Sequence, residues 1–156
     1  MAIKEIVLEH DEFLRKKSHL VTNFNKRLWG LLDDMKDTLR QHEGVGLAAV
    51  QIGTLRRVII IDVGDGLVEY INPEIIEMSG EQEEIEGCLS IPGERGYVKR
   101  PAKVVLKAQD RNGAEFVTEG EELLAIAMSH EIDHLDGIIY KDKVTRMVDP
   151  ETLEEL

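Results

Sequence analysis

Apolar side chains recur at helical spacing between Asn23 and His42, where Phe24, Leu28, Leu31, Leu32, Met35 and Leu39 fall on one face and charge on the other. The pattern predicts an amphipathic helix over 23–42. It stops at Gly44 and Gly46, which favour backbone shapes a helix cannot use, so GVGLAAVQIG reads as a tight loop feeding an extended segment. β-Branched runs follow. RRVIIIDV and LVEYINPEII predict two strands separated by Gly64-Asp65-Gly66. Further strands are predicted over 85–90, 96–99, 103–109 and 115–117, the last two joined at Arg111-Asn112-Gly113. The segments 62–69 and 79–84 read as exposed connections.

Helical spacing returns from Glu121 to Leu135, with Thr118 and Glu121 placed as a capping box, acids in the first turn and Gly137 as the stop. The closing DPETLEEL reads as an acidic tail expected to fray. No internal repeat, low-complexity tract or linker divides the 156 residues, so a single domain over 1–156 is expected. The fold class predicted is α+β: mostly antiparallel strands wrapped around a central C-terminal helix, with an N-terminal amphipathic helix.

Composition narrows the class. Hydrophobic residues make up 42% of the chain and charged ones 32%, as in a globular protein with an aliphatic core. A net charge of −12 argues against a chain whose main work is neutralising phosphates, so no direct nucleic-acid specificity is expected. The opening MAIKEIVLEHDEFLRKK lacks the basic start and long apolar stretch of a secretory signal, and no apolar run approaches the ~20 residues of a membrane span. A cytoplasmic protein without membrane attachment is the expectation. Cys88 is the one cysteine, which rules out an intrachain disulfide and fits a reducing compartment. On its own, such a residue is a small buried hydrophobe.

The candidate chemistry sits on the second helix, in His130-Glu131-Ile132-Asp133-His134. Two histidines four apart project from one helical face and can reach one ion, with Glu131 beside them. The plain alternative is a wet face of charged groups. Ala127, Met128, Ile132 and Leu135 intersperse these residues, however, and leave no clean polar stripe. A catalytic site needs a third protein ligand and one open position. Tyr140 stands where the metzincin pattern has a third histidine, and Glu151, Glu154 and Glu155 lie in a tail too short to pack beyond the site. The remaining strong candidate is Cys88, upstream.

At these residues the chain resembles the peptide deformylase family, through GVGLAAVQIG from Gly44, EGCLS from Glu86 and HEIDHLDG from His130, in the family's order. The strand pattern between the motifs, with Arg100-Pro101 and the 110–113 turn, is similar as well. The resemblance implies a metal-dependent hydrolase that removes the N-terminal formyl group from formyl-methionyl nascent polypeptides and releases formate. It implies one divalent ion on Cys88, His130 and His134: Fe2+ by family habit, with Ni2+, Co2+ or Zn2+ able to replace it. Glu131 is then the general base, while Gln51 and the backbone N–H of Leu89 face the formyl oxygen. Val45, Gly46, Glu86, Gly87, Leu123, Ile126 and Ala127 are implied substrate contacts. A monomer with at most transient ribosome contact is expected, since the basic C-terminal helix by which some relatives touch the ribosome is absent. Three departures bear on support of the site: Ser129 where the family has Gln, Val50 where Pro is frequent, and no Pro near Leu20. Two rival functions remain, an H-E-x-x-H metallopeptidase using a tail glutamate, and a non-catalytic deformylase-like module that binds formylated chains or stores metal.

Overall fold

A computed structural model describes residues 2–156. The first helix, α1 (Lys26–Gln41), starts where Asn25 caps it, the side-chain oxygen accepting from the Leu28 N–H at 3.3 Å. The helix is therefore shorter than predicted, because Asn23 to Asn25 stay outside it as the cap and its approach. Leu28, Leu32, Met35 and Leu39 are buried and pack on the first sheet.

That sheet holds five antiparallel strands, β1 (Gly46–Ala48), β2 (Val58–Ile61), β3 (Val68–Ser79), β6 (Lys103–Gln109) and β7 (Glu115–Glu121), in the order β1-β2-β3-β6-β7. A three-stranded sheet holds β4 (Gln82–Cys88), β5 (Ile91–Arg100) and β8 (Val144–Val148), in the order β4-β5-β8. The second helix, α2 (Glu122–Leu135), has ten of its fourteen residues buried, so it is the central element the pattern predicted. It contacts both sheets, through β1, β2, β6 and β7 on one side and β5 on the other.

Several expectations give way here. The segment 79–84 is not a connection: β3 runs to Ser79, β4 starts at Gln82, and Gly80 turns the chain with φ of 68°. Its acids sit in strands because much of this hairpin is exposed and charge costs little there. Thr118 pairs with Leu106 inside β7 and does not cap α2; the strand runs straight into the helix at Glu122, whose φ is 52°. The expected capping box is therefore absent. β8, which the pattern did not show, pairs with β5, and the acidic tail folds back through a bridge between Val148 and Glu155. Among the described residues no helix is long and apolar enough to cross a membrane.

Gly137, the stop of α2, has φ of 77°, and a Cβ there would overlap the Arg15 carbonyl. Gly137→Ala should destabilise the fold by about 2 kcal/mol or more, since left-handed strain of ~1–2 kcal/mol adds to that overlap. Urea unfolding measures this; a loss below ~0.5 kcal/mol would contradict it.

Candidate metal centre

Strand β4 alternates, so Glu86 and Cys88 face inward together while Gly87 points away. They meet α2, whose one-turn spacing places His130 and His134 on the facing side. The Cys88 Sγ lies 3.3 Å from His134 Nε2, and one donor atom each from Cys88, His130 and His134 falls within 4.8 Å of the others. A tetrahedron with ordinary metal–N and metal–S bonds has ligand–ligand edges of roughly 3.5 Å, which the sulfur–nitrogen separation matches. The three residues are buried.

The orientation of His130 is set from outside the cluster. Its Nδ1–H donates to Glu86 Oε1 at 2.8 Å, leaving Nε2 to face the centre. Both Glu86 oxygens accept from Arg100, Nε to Oε2 at 2.8 Å and Nη2 to Oε1 at 3.0 Å. Arg100 also donates from Nη1 to Asp133 Oδ2 at 2.7 Å, and Lys143 reaches the same oxygen at 3.0 Å. Glu86 and Arg100 are 5% and 3% exposed, so this pair is a closed internal network. Glu86, an expected substrate contact, lines the cleft, and its carboxylate binds His130 and Arg100. The roles of Arg100 and Asp133 had no local signal in the sequence, because a buried cation reveals itself only by the acids folded around it.

Glu131 is buried with Oε1 lacking a hydrogen-bond partner. Its other oxygen lies against Gly46, where a Cβ would stand 2.8 Å from Oε2 and push the carboxylate aside. Burial pushes the Glu131 carboxyl up to about 7, with Glu86 and Asp133 adding to the rise and His130 and Arg100 opposing it. Burial also lowers His134 well below the ordinary histidine value, helped by the charges of His130 and Arg100. Burial acts the same way on His130, but Glu131, Cys88 and Glu86 outweigh it and draw a positive charge to that ring. A thiol, one neutral imidazole and a second imidazole that attracts positive charge suit a bound cation taking the proton's place.

Gln51, 1% exposed, accepts from the Ala48 N–H at 2.9 Å. Its Nε2 donates to Ser90 Oγ at 3.1 Å and to Cys88 Sγ at 3.5 Å. A cleft of about 1080 Å3 opens over the cluster, and Val45, Gly46, Gln51, Glu86, Gly87, Cys88, Leu89, Leu123, Ile126, Ala127, His130 and Glu131 all line it, with His134 beneath. Val45 and Leu123 are 39% and 49% exposed at the mouth. Ile6, Leu8 and Arg95 also line the cleft and were missed; nothing local in sequence ties the N-terminal segment to it. At the departures, Ser129 Oγ donates back to the Ala125 carbonyl at 2.9 Å, and Val50 is fully buried.

The tail glutamates of the rival reading are exposed, and Glu155 pairs with Arg146. Among the described residues Cys88, His130 and His134 form the one cluster able to hold a metal ion.

An α+β fold that buries a thiol and two imidazoles beside a carboxylate under an apolar cleft defines a metal-dependent hydrolase. The family model for polypeptide deformylase matches residues 3–149. A peptide deformylase of Acetivibrio thermocellus is 56% identical over 154 residues, 99% of this chain and 91% of that protein. The crystal structure of the Legionella pneumophila enzyme superposes with a TM-score of 0.90 at 44% identity, covering 92% of this chain and 87% of that one. The Thermotoga maritima enzyme superposes with a TM-score of 0.91 at 35% identity, covering 93% and 99%. The chain belongs to the polypeptide deformylase family, metal-dependent hydrolases that remove the formyl group from N-terminal methionine.

Proposed function

We propose that Cys88, His130 and His134 hold one ferrous ion and that Glu131 acts as the general base in deformylating new polypeptides. The observation that carries this is the convergence of a thiol and two imidazoles from different elements beside a buried carboxylate. When bound, the ion supplies a Lewis acid that makes water a usable nucleophile near neutral pH. Glu131 takes the proton from the attacking water and hands it to the leaving amine. Its unpartnered Oε1 leaves it free for both transfers.

As negative charge grows on the formyl oxygen, the Leu89 N–H and the Gln51 amide stabilise it. Gln51 reaches that role by exchanging its 3.5 Å contact with Cys88 for the substrate oxygen, while Ser90 keeps the amide aimed. β1 pairs with β2 on one edge only, so its other edge, beside Gly46, can take the substrate backbone as an added strand. The methionine side chain enters among Val45, Leu123, Ile126 and Ala127, whose apolar surface lines the cleft. Gly87 stays bare because a side chain there would collide with the Arg95 guanidinium. The protein acts as a single-domain monomer in the cytoplasm, where formylated chains emerge.

Anaerobically prepared protein should release formate from formyl-methionyl peptides and lose activity in air, with fresh ferrous iron restoring part of it. No formate above blank would remove the catalytic reading. Full, stable activity with zinc alone would count against iron.

A further inference from the structure

The chain enters α2 through an uncommon backbone shape. Glu122 holds φ of 52°, in the left-handed region that residues with a side chain enter at a cost, and Glu121 before it offers the helix no side-chain cap. The Glu122 side chain does nothing to offset that cost, since it is exposed and forms no ion pair among the described residues. Residues in such shapes persist only where their surroundings hold them, and they gather at ligand clamps.

Gln82 does the holding. Its Nε2 donates to the Glu122 carbonyl at 3.0 Å and to the Pro101 carbonyl at 3.0 Å, so both hydrogens of the amide are in use. One half-buried side chain thus ties the first residue of β4 to the β5–β6 connection and to the first residue of α2.

A second bond between the same two elements lies further along both. Glu86, four residues after Gln82, holds His130, eight residues after Glu122. The pairing of β4 with β5 is unbroken from Gln82 to Glu86, so both side chains leave the same face of the strand. Four strand residues span about 13 Å and eight helical residues about 12 Å. The two bonds are therefore rungs of matched spacing between β4 and α2. Leu123, Ile126 and Ala127 fall between the rungs and line the cleft together with Gln82 and Glu122. Glu86 fixes the end of this slot beside the donors, and Gln82 fixes the other end.

We propose that Gln82 is a positioning residue for methionine recognition: by holding Glu122 in its left-handed shape, it fixes Leu123 as the far wall of the pocket. This rests on the reading above in which methionine enters among Val45, Leu123, Ile126 and Ala127. Leu123 lies seven residues before His130, about 10 Å along the helix axis, so a side chain entering from the donors approaches it only with its last atoms. Methionine extends toward that wall, and alanine stops short of it. Without the Gln82 amide, Glu122 relaxes toward an ordinary backbone shape, and Leu123, 49% exposed, moves with it. The pocket then loses contacts to long side chains and keeps those to short ones.

The test is steady-state formate release from two peptides that differ only in starting with formyl-methionine or formyl-alanine, using metal-loaded wild type, Q82A and Q82A/E122G. In Q82A the ratio of kcat/KM for the methionyl over the alanyl peptide should fall about tenfold, the low end of what one methylene contact is worth. The loss should lie in KM for the methionyl peptide, with kcat within about twofold, because binding is removed and not chemistry. Glycine adopts the left-handed shape without strain, so Q82A/E122G should bring the ratio back to within about threefold of wild type. A side chain that matters only for folding would not be rescued in this way. Metal content should match the wild type in both variants. A Q82A ratio within about twofold of wild type, equal losses on both peptides, or no recovery in the double variant overturns the proposal. A wild type that releases no formate removes the catalytic reading instead; calorimetric binding of the same two peptides then decides the pocket, with the same change of about tenfold expected.

Discussion

Glu131→Ala should keep the metal content of the wild type while formate release falls at least ~100-fold, the scale expected when a general base is lost. The carboxylate is not among the three donors of the cluster, so its removal opens space beside Gly46 without taking away a ligand. Bound metal, measured by elemental analysis alongside the rate, separates this outcome from a non-catalytic module and from a collapsed site. A non-catalytic module would show no change in anything measured, and a collapsed site would lose its metal together with its rate. Glu131→Asp gives a finer check: the shortened carboxylate retreats along α2, so it should recover only part of the loss. A Glu131→Ala protein that retains more than about a tenth of wild-type activity would exclude this residue as the base.

Arg100→Met should be the most damaging change outside the donors. Arg100 is 3% exposed and makes three hydrogen bonds, two to Glu86 and one to Asp133. Removing it leaves the Glu86 carboxylate buried with only His130 for company, and breaking a buried pair from one side costs about 3–5 kcal/mol. The loss reaches the centre because Glu86 sets the orientation of His130, and partners of ligating histidines are commonly worth 10–100-fold in metal affinity. Urea unfolding of the metal-free protein reads the first effect, and competition with a coloured chelator for Co2+ reads the second. Arg100→Lys should rescue little, since an ammonium cannot hold both Glu86 oxygens and Asp133 in one plane. Wild-type metal affinity together with a stability loss under ~1 kcal/mol would show that the network is not what holds the ring.

The two helices were readable because each announces itself locally: α1 by its apolar spacing, α2 by its helical spacing and the Gly137 stop. The donors on α2 were readable for the same reason, since a four-residue interval fixes a shared face. Cys88 was different. Nothing near it in the chain brings it to His134; the need for a third ligand made it a candidate, and the motif order then suggested the meeting. β8 stayed hidden because its partner, β5, lies more than forty residues earlier, and pairing across such a distance leaves no periodic trace. The 79–84 segment misled because its acids suit an exposed hairpin as well as a loop. The misplaced cap at Thr118 came from a pattern of the right letters on residues whose hydrogen bonds belong to a sheet. The partners of Glu86 were not legible, because what a buried carboxylate holds depends on residues 14 and 44 positions away.

The sulfur hangs from the small sheet, while both imidazoles ride on a helix packed largely against the large one. Wherever the two halves of the molecule drift apart, the three donors lose their common focus. An ion held on these three donors would therefore work as a clasp between layers, so that its binding and the stability of the folded protein rise together.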